Sequence, residues 1–206
     1  MDNVDRKSFF KCSFLYYFIT SLVLGGIFVS YLGDGAVAQA MDAQGWAFYA
    51  TASLSWAAVF ALVPYLLATV VYALSRKSGA ASVVQISLTV LLLAYFLVNG
   101  MIYAQYRFHI NGFVLDMLFS EGAGDIFQFN ASIYMKLAAA FAALVLATIA
   151  AWKGCRFIIG KWHYAAALPA SLLLVAALLF SNGFHAMNTR RMLSGVGVMV
   201  SFAAWV

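Results

Sequence analysis

The chain has 206 residues, of which 65% are hydrophobic and 9% are charged, and its formal net charge is +5. Such a composition excludes a water-soluble domain with a single buried core, because soluble domains carry about 25% charged residues. The positive charge does not indicate nucleic-acid binding, since no basic stripe with interleaved aromatic residues lies outside the apolar runs. The composition therefore predicts an integral membrane protein.

Five long apolar runs, each free of Asp and Glu, fill most of the sequence. About 20 apolar residues in a helix span the hydrocarbon core of roughly 30 Å, where the backbone must satisfy its hydrogen bonds internally. The fifth run is shorter and reaches span length only with its flanks 162–164 and 181–184. We therefore predict an all-α, polytopic bundle of five transmembrane helices. The predicted helices cover Phe14–Leu32, Ala47–Leu74, Ala81–Ala104, Ile133–Trp152 and Ala165–Phe180.

The basic residues indicate how the bundle lies in the membrane. Cytoplasmic flanks are enriched in Lys and Arg, and eight of the twelve basic residues lie on one side of the predicted topology. This distribution predicts a cytoplasmic N-terminus, a C-terminus outside, and a first helix that stays as an uncleaved anchor. The eight residues are Arg6, Lys7, Lys11, Arg76, Lys77, Lys153, Arg156 and Lys161.

Few polar residues interrupt the helices. Gln85 and Asn99, near opposite ends of the third helix, are predicted to form interhelical hydrogen bonds. Ala139, Ala143, Ala147 and Ala151 form a small-residue stripe that favours helix contact in the fourth helix. Nine aromatic residues near the span boundaries are predicted to form interfacial belts. They are Tyr16, Tyr17, Tyr31, Trp46, Tyr49, Tyr103, Trp152, Trp162 and Tyr164.

The connection between the third and fourth helices, Gln105–Ser132, is long and rich in apolar residues. Connections of this length are usually functional or disordered, and this composition argues against disorder. We predict a short amphipathic segment lying on the outer leaflet, anchored in acyl chains by Phe108, Phe113 and Leu118. The Gly122–Gly124 stretch is then predicted to end this amphipathic segment before the fourth transmembrane helix.

Catalytic and metal-binding patterns are weak. The three histidines do not have the spacing of a metal site or of haem ligands. The sequence also contains no nucleophile triad and no phosphate-binding loop. We therefore predict no cofactor, no metal and no catalytic activity. One alternative is an embedded lipid head-group hydrolase or transferase that uses Asp116, Glu121 and His109. A small transporter is another, disfavoured because no ionisable residue lies at mid-membrane.

Four residues on the predicted outer side form a candidate lipid-binding patch. Arg190 and Arg191 follow the fifth helix, and adjacent guanidinium groups can bind phosphates in bidentate geometry. Arg107 and His109 follow the third helix in the same head-group layer. We predict that these four residues bind an anionic lipid, whereas simple capping of the fifth helix by the two arginines is the alternative.

The run YRFHING at 106–112, followed by Val114, Met117 and Leu118 directly after a third helix, resembles the N-terminal membrane domain of the YejM (or PbgA) family. The five-helix order, the inward N-terminus and the diarginine after the fifth helix are also similar. The resemblance implies a non-catalytic domain of the Gram-negative inner membrane that regulates lipopolysaccharide homeostasis. It also implies two kinds of partner: an anionic lipid (lipid A or cardiolipin), which a family diarginine touches, and a membrane-anchored regulatory protein.

The sequence is therefore divided into a five-helix transmembrane domain, 1–193, and a short apolar tail, 194–206. In the resembling family a sulfatase-like periplasmic domain follows the membrane domain, and its metal and nucleophile residues have no counterpart here. The tail is too short to span a membrane. The expectation for it is a truncated or frame-shifted end.

Overall fold

The computed structural model describes residues 3–31, 43–106, 109–112, 116, 131–161, 183 and 187. Four long helices occupy this part of the chain and form successive antiparallel neighbours. All four are long and apolar enough to cross a membrane. The helices are α1 (Asn3–Ser30), α2 (Ala43–Ser75), α3 (Ser78–Tyr106) and α4 (Ala131–Lys161).

The first four predicted helices are confirmed. α2, α3 and α4 extend beyond both ends of their apolar runs, whereas α1 begins before its run and ends at Ser30. The fifth predicted helix, Ala165–Phe180, lies outside the described residues. Pro64, expected to interrupt the second helix, lies inside a continuous α2. Most of the predicted amphipathic segment is also outside the described residues, although Gly112 and Asp116 are helical and His109–Asn111 are not.

The connection between α2 and α3 is a tight turn of two residues, as its short basic sequence predicts. Arg76 adopts a left-handed conformation with φ of 56°, and its amide donates to the Tyr72 carbonyl oxygen at 2.9 Å. A left-handed residue after the last helical turn satisfies a carbonyl that would otherwise lack a partner. The turn therefore reverses the chain at once and places α3 beside α2.

Like α3, α1 contacts each of the other three described helices. At one end, which we call the cysteine end, it packs with the ends of α2 and α4 and the start of α3 around the buried, free thiols of Cys12 and Cys155. Phe9 stacks on Tyr72 there with ring centroids 4.5 Å apart. At the opposite end, the histidine end, α1 and α3 finish, α2 begins, and His109 lies nearby.

The predicted aromatic belts are largely wrong for the described residues. Tyr16, Tyr17, Tyr49 and Trp152 are buried between helices, and Tyr16 meets Trp152 edge-to-face at 5.2 Å. Rings buried in this way fill the interhelical space, and offset or edge-to-face pairs stabilise such packing. Only Trp46 among the predicted belt residues is exposed in the described part of the chain.

Gln85 confirms the predicted interhelical hydrogen bond. Its carboxamide is 1% exposed and pairs twice with one residue of α1. The Ser13 hydroxyl donates to Gln85 Oε1 at 2.6 Å, and Gln85 Nε2 donates to the Ser13 carbonyl oxygen at 3.1 Å. This reciprocal pair fixes the register of α1 against α3 in the half of the bundle nearer the cysteine end.

The described helices cover only one end of the small-residue stripe of α4. Ala139, Ala143 and Ala147 are all exposed. Ala151 is partly buried and packs against the cluster that contains Trp152 and Cys155. The helix contact predicted for the stripe is therefore found at Ala151 and not at its first three alanines.

Candidate functional site

Asn99 links the end of α3 to the chain that follows it. Its carboxamide is 3% exposed. Asn99 Oδ1 accepts a hydrogen bond from the Ile110 amide at 2.8 Å, and Asn99 Nδ2 lies 3.0 Å from Nδ1 of His109. One buried side chain therefore holds the chain beyond α3 against the bundle, and we call this pair of contacts the Asn99 clamp.

The clamp defines the protonation state of His109. Because the Ile110 amide is a donor, the Asn99 atom facing it must be the oxygen, and the atom facing His109 must be the NH2 group. His109 Nδ1 is then an acceptor, so the imidazole is neutral and carries its proton on Nε2. Burial also lowers the pKa of His109 below its ordinary value of 6.5, which favours the same neutral form.

Two tyrosine rings hold the imidazole from the helix side. His109 stacks on Tyr103 with centroids 4.5 Å apart and planes 8° apart, and Tyr31 of α1 lies 6.0 Å from the imidazole centroid. The Tyr31 hydroxyl donates to the Phe96 carbonyl oxygen and lies 3.4 Å from Asn99 Nδ2. Burial raises the pKa of Tyr31 to about 12, so its hydroxyl stays protonated.

Beneath the clamp lies a cavity of about 100 Å³ between α1, α2 and α3. Its wall consists of seven aromatic side chains, three polar side chains (Ser53, Asn99 and His109) and Ile110. Tyr95, in this wall, is 48% exposed, and its α3 neighbours Leu91 and Val98 are exposed as well. The cavity wall at Tyr95 therefore reaches the exposed surface of α3, which would face lipid.

Ser53 carries an unsatisfied hydroxyl in the wall of this cavity. The residue is 1% exposed, and its Oγ has no hydrogen-bond partner among the described residues. Other helical hydroxyls of the chain donate to the carbonyl oxygen one turn earlier, as Ser21, Thr51 and Thr69 do. The Ser53 hydroxyl does not, so it is a buried hydrogen-bonding group whose partner the described residues do not supply.

Of the predicted lipid-binding residues, the structure describes only His109. It places His109 at the cavity wall, held by Asn99 and Tyr103, and not in an open patch. The other predicted patch and anchor residues lie outside the described residues: Arg107, Phe108, Phe113, Leu118, Arg190 and Arg191. Asp116, a residue of the alternative enzyme hypothesis, is described and exposed.

Two residues of this site have roles that the sequence did not predict. Asn99 was expected to bond between helices, which its contact with Tyr31 supports, but its clamp on His109 and Ile110 was not predicted. Ser53 had no distinguishing signal, because small polar residues in helices usually bond to their own backbone. Within the described residues, no cluster of three His, Cys, Asp or Glu side chains could hold a metal ion.

The comparisons with known proteins give one match. A family described as "Domain of unknown function (DUF3413)" matches residues 2–197, which is nearly the whole chain. Neither the curated proteins nor the solved structures include a match.

Proposed function

Since this chain belongs to the DUF3413 family, we propose that it is a non-catalytic membrane domain that binds or senses an anionic lipid at the outer leaflet. As the resemblance to the YejM family implies, that lipid is lipid A or cardiolipin. Its role is then the regulation of lipopolysaccharide homeostasis in a Gram-negative inner membrane. A membrane-anchored regulatory protein is the proposed partner that responds to the bound lipid.

The Asn99 clamp is the observation that best supports this proposal. It holds His109 and Ile110 on the end of α3, two residues beyond Arg107. α3 is long and apolar enough to cross a membrane, and its candidate span ends at Tyr103. With that span in the bilayer, the clamped segment would lie at head-group depth. A fixed segment loses less conformational entropy when it binds a lipid than a free loop does.

The proposed head-group site combines Arg107 and His109 with Arg190 and Arg191. Guanidinium groups bind phosphate in bidentate geometry, and basic residues near a membrane surface each contribute about 1 kcal/mol to anionic-lipid attraction. His109 is neutral in the clamped state, so it would act as a hydrogen-bond donor through Nε2. The charge of the site would come from the arginines.

Native mass spectrometry of the detergent-extracted protein tests the proposal. The wild type and the Arg190→Ala/Arg191→Ala variant are incubated with equal amounts of lipid A, cardiolipin and phosphatidylethanolamine. We expect the wild type to retain the two anionic lipids preferentially, and the variant to lose most of that preference. Lys153→Ala/Arg156→Ala, which removes two charges near the cysteine end, is the matched control. Equal retention in the wild type and the Arg190→Ala/Arg191→Ala variant would contradict the proposed site.

The same preparation tests the enzyme alternative. A purified protein that hydrolyses or transfers a lipid head group, and loses this activity in Asp116→Asn, would replace the non-catalytic proposal.

A further inference from the structure

The cavity below the Asn99 clamp contains a buried hydroxyl group that the surrounding described residues leave without a hydrogen bond. It combines a mostly aromatic wall with one buried hydroxyl, on Ser53, that has no partner in the described part of the chain. A buried polar group without a hydrogen bond costs about 1–3 kcal/mol, so natural structures usually provide it with a partner. The molecule that fills the cavity is therefore expected to supply that partner.

Water is a poor occupant for this cavity. A volume of about 100 Å³ equals about three waters, and each buried water needs two to four polar partners. The polar atoms of Asn99 already bond to His109, Ile110 and Tyr31. The hydroxyls of Tyr31 and Tyr49 donate to backbone carbonyl oxygens, so few polar atoms of the wall remain for such a cluster. Apolar cavities of about 150 Å³ stay dry and bind small hydrocarbons.

The position of Ser53 along α2 indicates which apolar molecule would reach it. The membrane-spanning part of α2 is Gly45–Ser75, with Phe60 at its midpoint. Ser53 lies seven residues from Phe60, or roughly 10 Å along the helix axis. The hydrocarbon core ends about 15 Å from the mid-plane, where the ester groups of lipids begin. Ser53 would therefore lie inside the hydrocarbon core, within about 5 Å of the depth at which lipid esters begin.

We propose that this cavity binds one acyl chain of a membrane lipid, which enters sideways past Tyr95 and accepts a hydrogen bond from Ser53 Oγ through its ester carbonyl oxygen. The first methylene groups of the chain then lie among the aromatic rings, which provide apolar surface for them. The site recognises an ester-linked chain and not a head group, so it goes beyond the proposed arginine site and does not depend on it.

A competition between two lipids tests the proposal. The protein in detergent is given equal amounts of diester and diether phosphatidylglycerol, which share a head group and chain length and differ in the carbonyl oxygens. Native mass spectrometry reports the ratio of the two bound lipids. We expect the wild type to favour the diester lipid by about two- to tenfold, as one hydrogen bond would produce.

Ser53→Ala removes the hydroxyl and is expected to bring this ratio close to one. Ser55→Ala, another buried serine of α2 that does not line the cavity, is the matched control and should keep the wild-type ratio. A ratio of one in the wild type, as a water-filled cavity would give, would overturn the proposal. So would a diester preference that persists in Ser53→Ala.

The head-group proposal can fail without affecting this result. Arg190→Ala/Arg191→Ala should lower the total amount of both lipids and leave their ratio unchanged. Ser53→Leu, which fills the cavity, should lower the diester preference without altering the selection for anionic lipids.

Discussion

Asn99 faces Nδ1 of His109 at 3.0 Å although ten residues of chain separate them. The orientation of the carboxamide follows from the Ile110 amide, which occupies its oxygen. If His109 gained a proton on Nδ1, two donors would face each other across this short distance. The clamp is therefore compatible only with the neutral imidazole.

The first prediction concerns the pH dependence of stability. Burial lowers the pKa of His109 in the folded state below its ordinary value of 6.5. At pH values below about 6.5, the unfolded state binds more protons than the folded state, so stability falls as the pH decreases. The contribution is complete above about pH 6.5 and is lost as the pH falls from there through the folded-state pKa.

Thermal unfolding in detergent at a series of pH values between about 8 and 5 measures this effect. His109→Asn is the matched variant, because its side-chain oxygen can accept from Asn99 Nδ2 at any pH. We expect the unfolding temperature of the wild type to fall more steeply with acidification than that of His109→Asn. Parallel curves would show that His109 does not carry the effect.

The second prediction concerns the contact between Gly100 of α3 and Tyr31 of α1. A Cβ atom at Gly100 would overlap Cε1 of the Tyr31 ring and lie 3.1 Å from its Cδ1. Gly100→Ala should therefore destabilise the protein by about 1–2 kcal/mol, despite the better helix propensity of alanine. Gly26→Ala is the control, because nothing lies within 4 Å of a Cβ there, and it should be neutral or stabilising.

Chemical denaturation of both variants in mixed micelles gives the free energies of unfolding. In a Tyr31→Ala background the ring is absent, so Gly100→Ala should cost little. If it cost the same in both backgrounds, the ring contact would not be the cause.

The third prediction concerns the reciprocal pair of Ser13 and Gln85. Ser13→Ala leaves Oε1 of Gln85 buried without its donor, which should cost about 1 kcal/mol in the free energy of unfolding. Ser21→Ala is the control on the same helix, because Ser21 is equally buried but bonds to the Tyr17 carbonyl oxygen of its own helix. Equal losses for the two variants would contradict an interhelical role for Ser13.

The fourth prediction concerns orientation in the membrane. Reporter fusions after Lys77, after Lys161 and at the C-terminus should give cytoplasmic signals for the first two and an external signal for the last. The reason is the excess of basic residues on the N-terminal side. A cytoplasmic signal from the C-terminal fusion would exclude five crossings from a cytoplasmic N-terminus.

The sequence predicted the helices well because hydropathy and length are local properties of the chain. The reciprocal bond of Gln85 was also predictable, since a buried carboxamide in a membrane helix needs a partner on another helix. The belts failed because a boundary position does not indicate which side of the helix a ring such as Tyr16 or Trp152 occupies. That depends on helix rotation, which packing determines.

The cavity could not be predicted for a related reason. Ser53 and Asn99 lie on different helices, and His109 lies beyond the end of α3, so only the folded bundle brings them together. The structure places His109 in the cavity wall, and its predicted part in lipid binding, chosen for its position two residues after Arg107, stays a prediction. Its neutral, clamped state follows from the orientation of one amide group, which no sequence pattern indicates.

The hydrogen bond between Ser13 and Gln85 also constrains the biosynthesis of the bundle. Its partners are 72 residues apart, so at 5–20 residues per second a ribosome completes Gln85 roughly 4 to 14 s after Ser13. Until then Ser13 lacks its interhelical partner, and its hydroxyl can bond to a carbonyl oxygen of its own helix. The native pair can form only once α3 is present beside α1, so this part of the packing between α1 and α3 cannot precede the synthesis of α3.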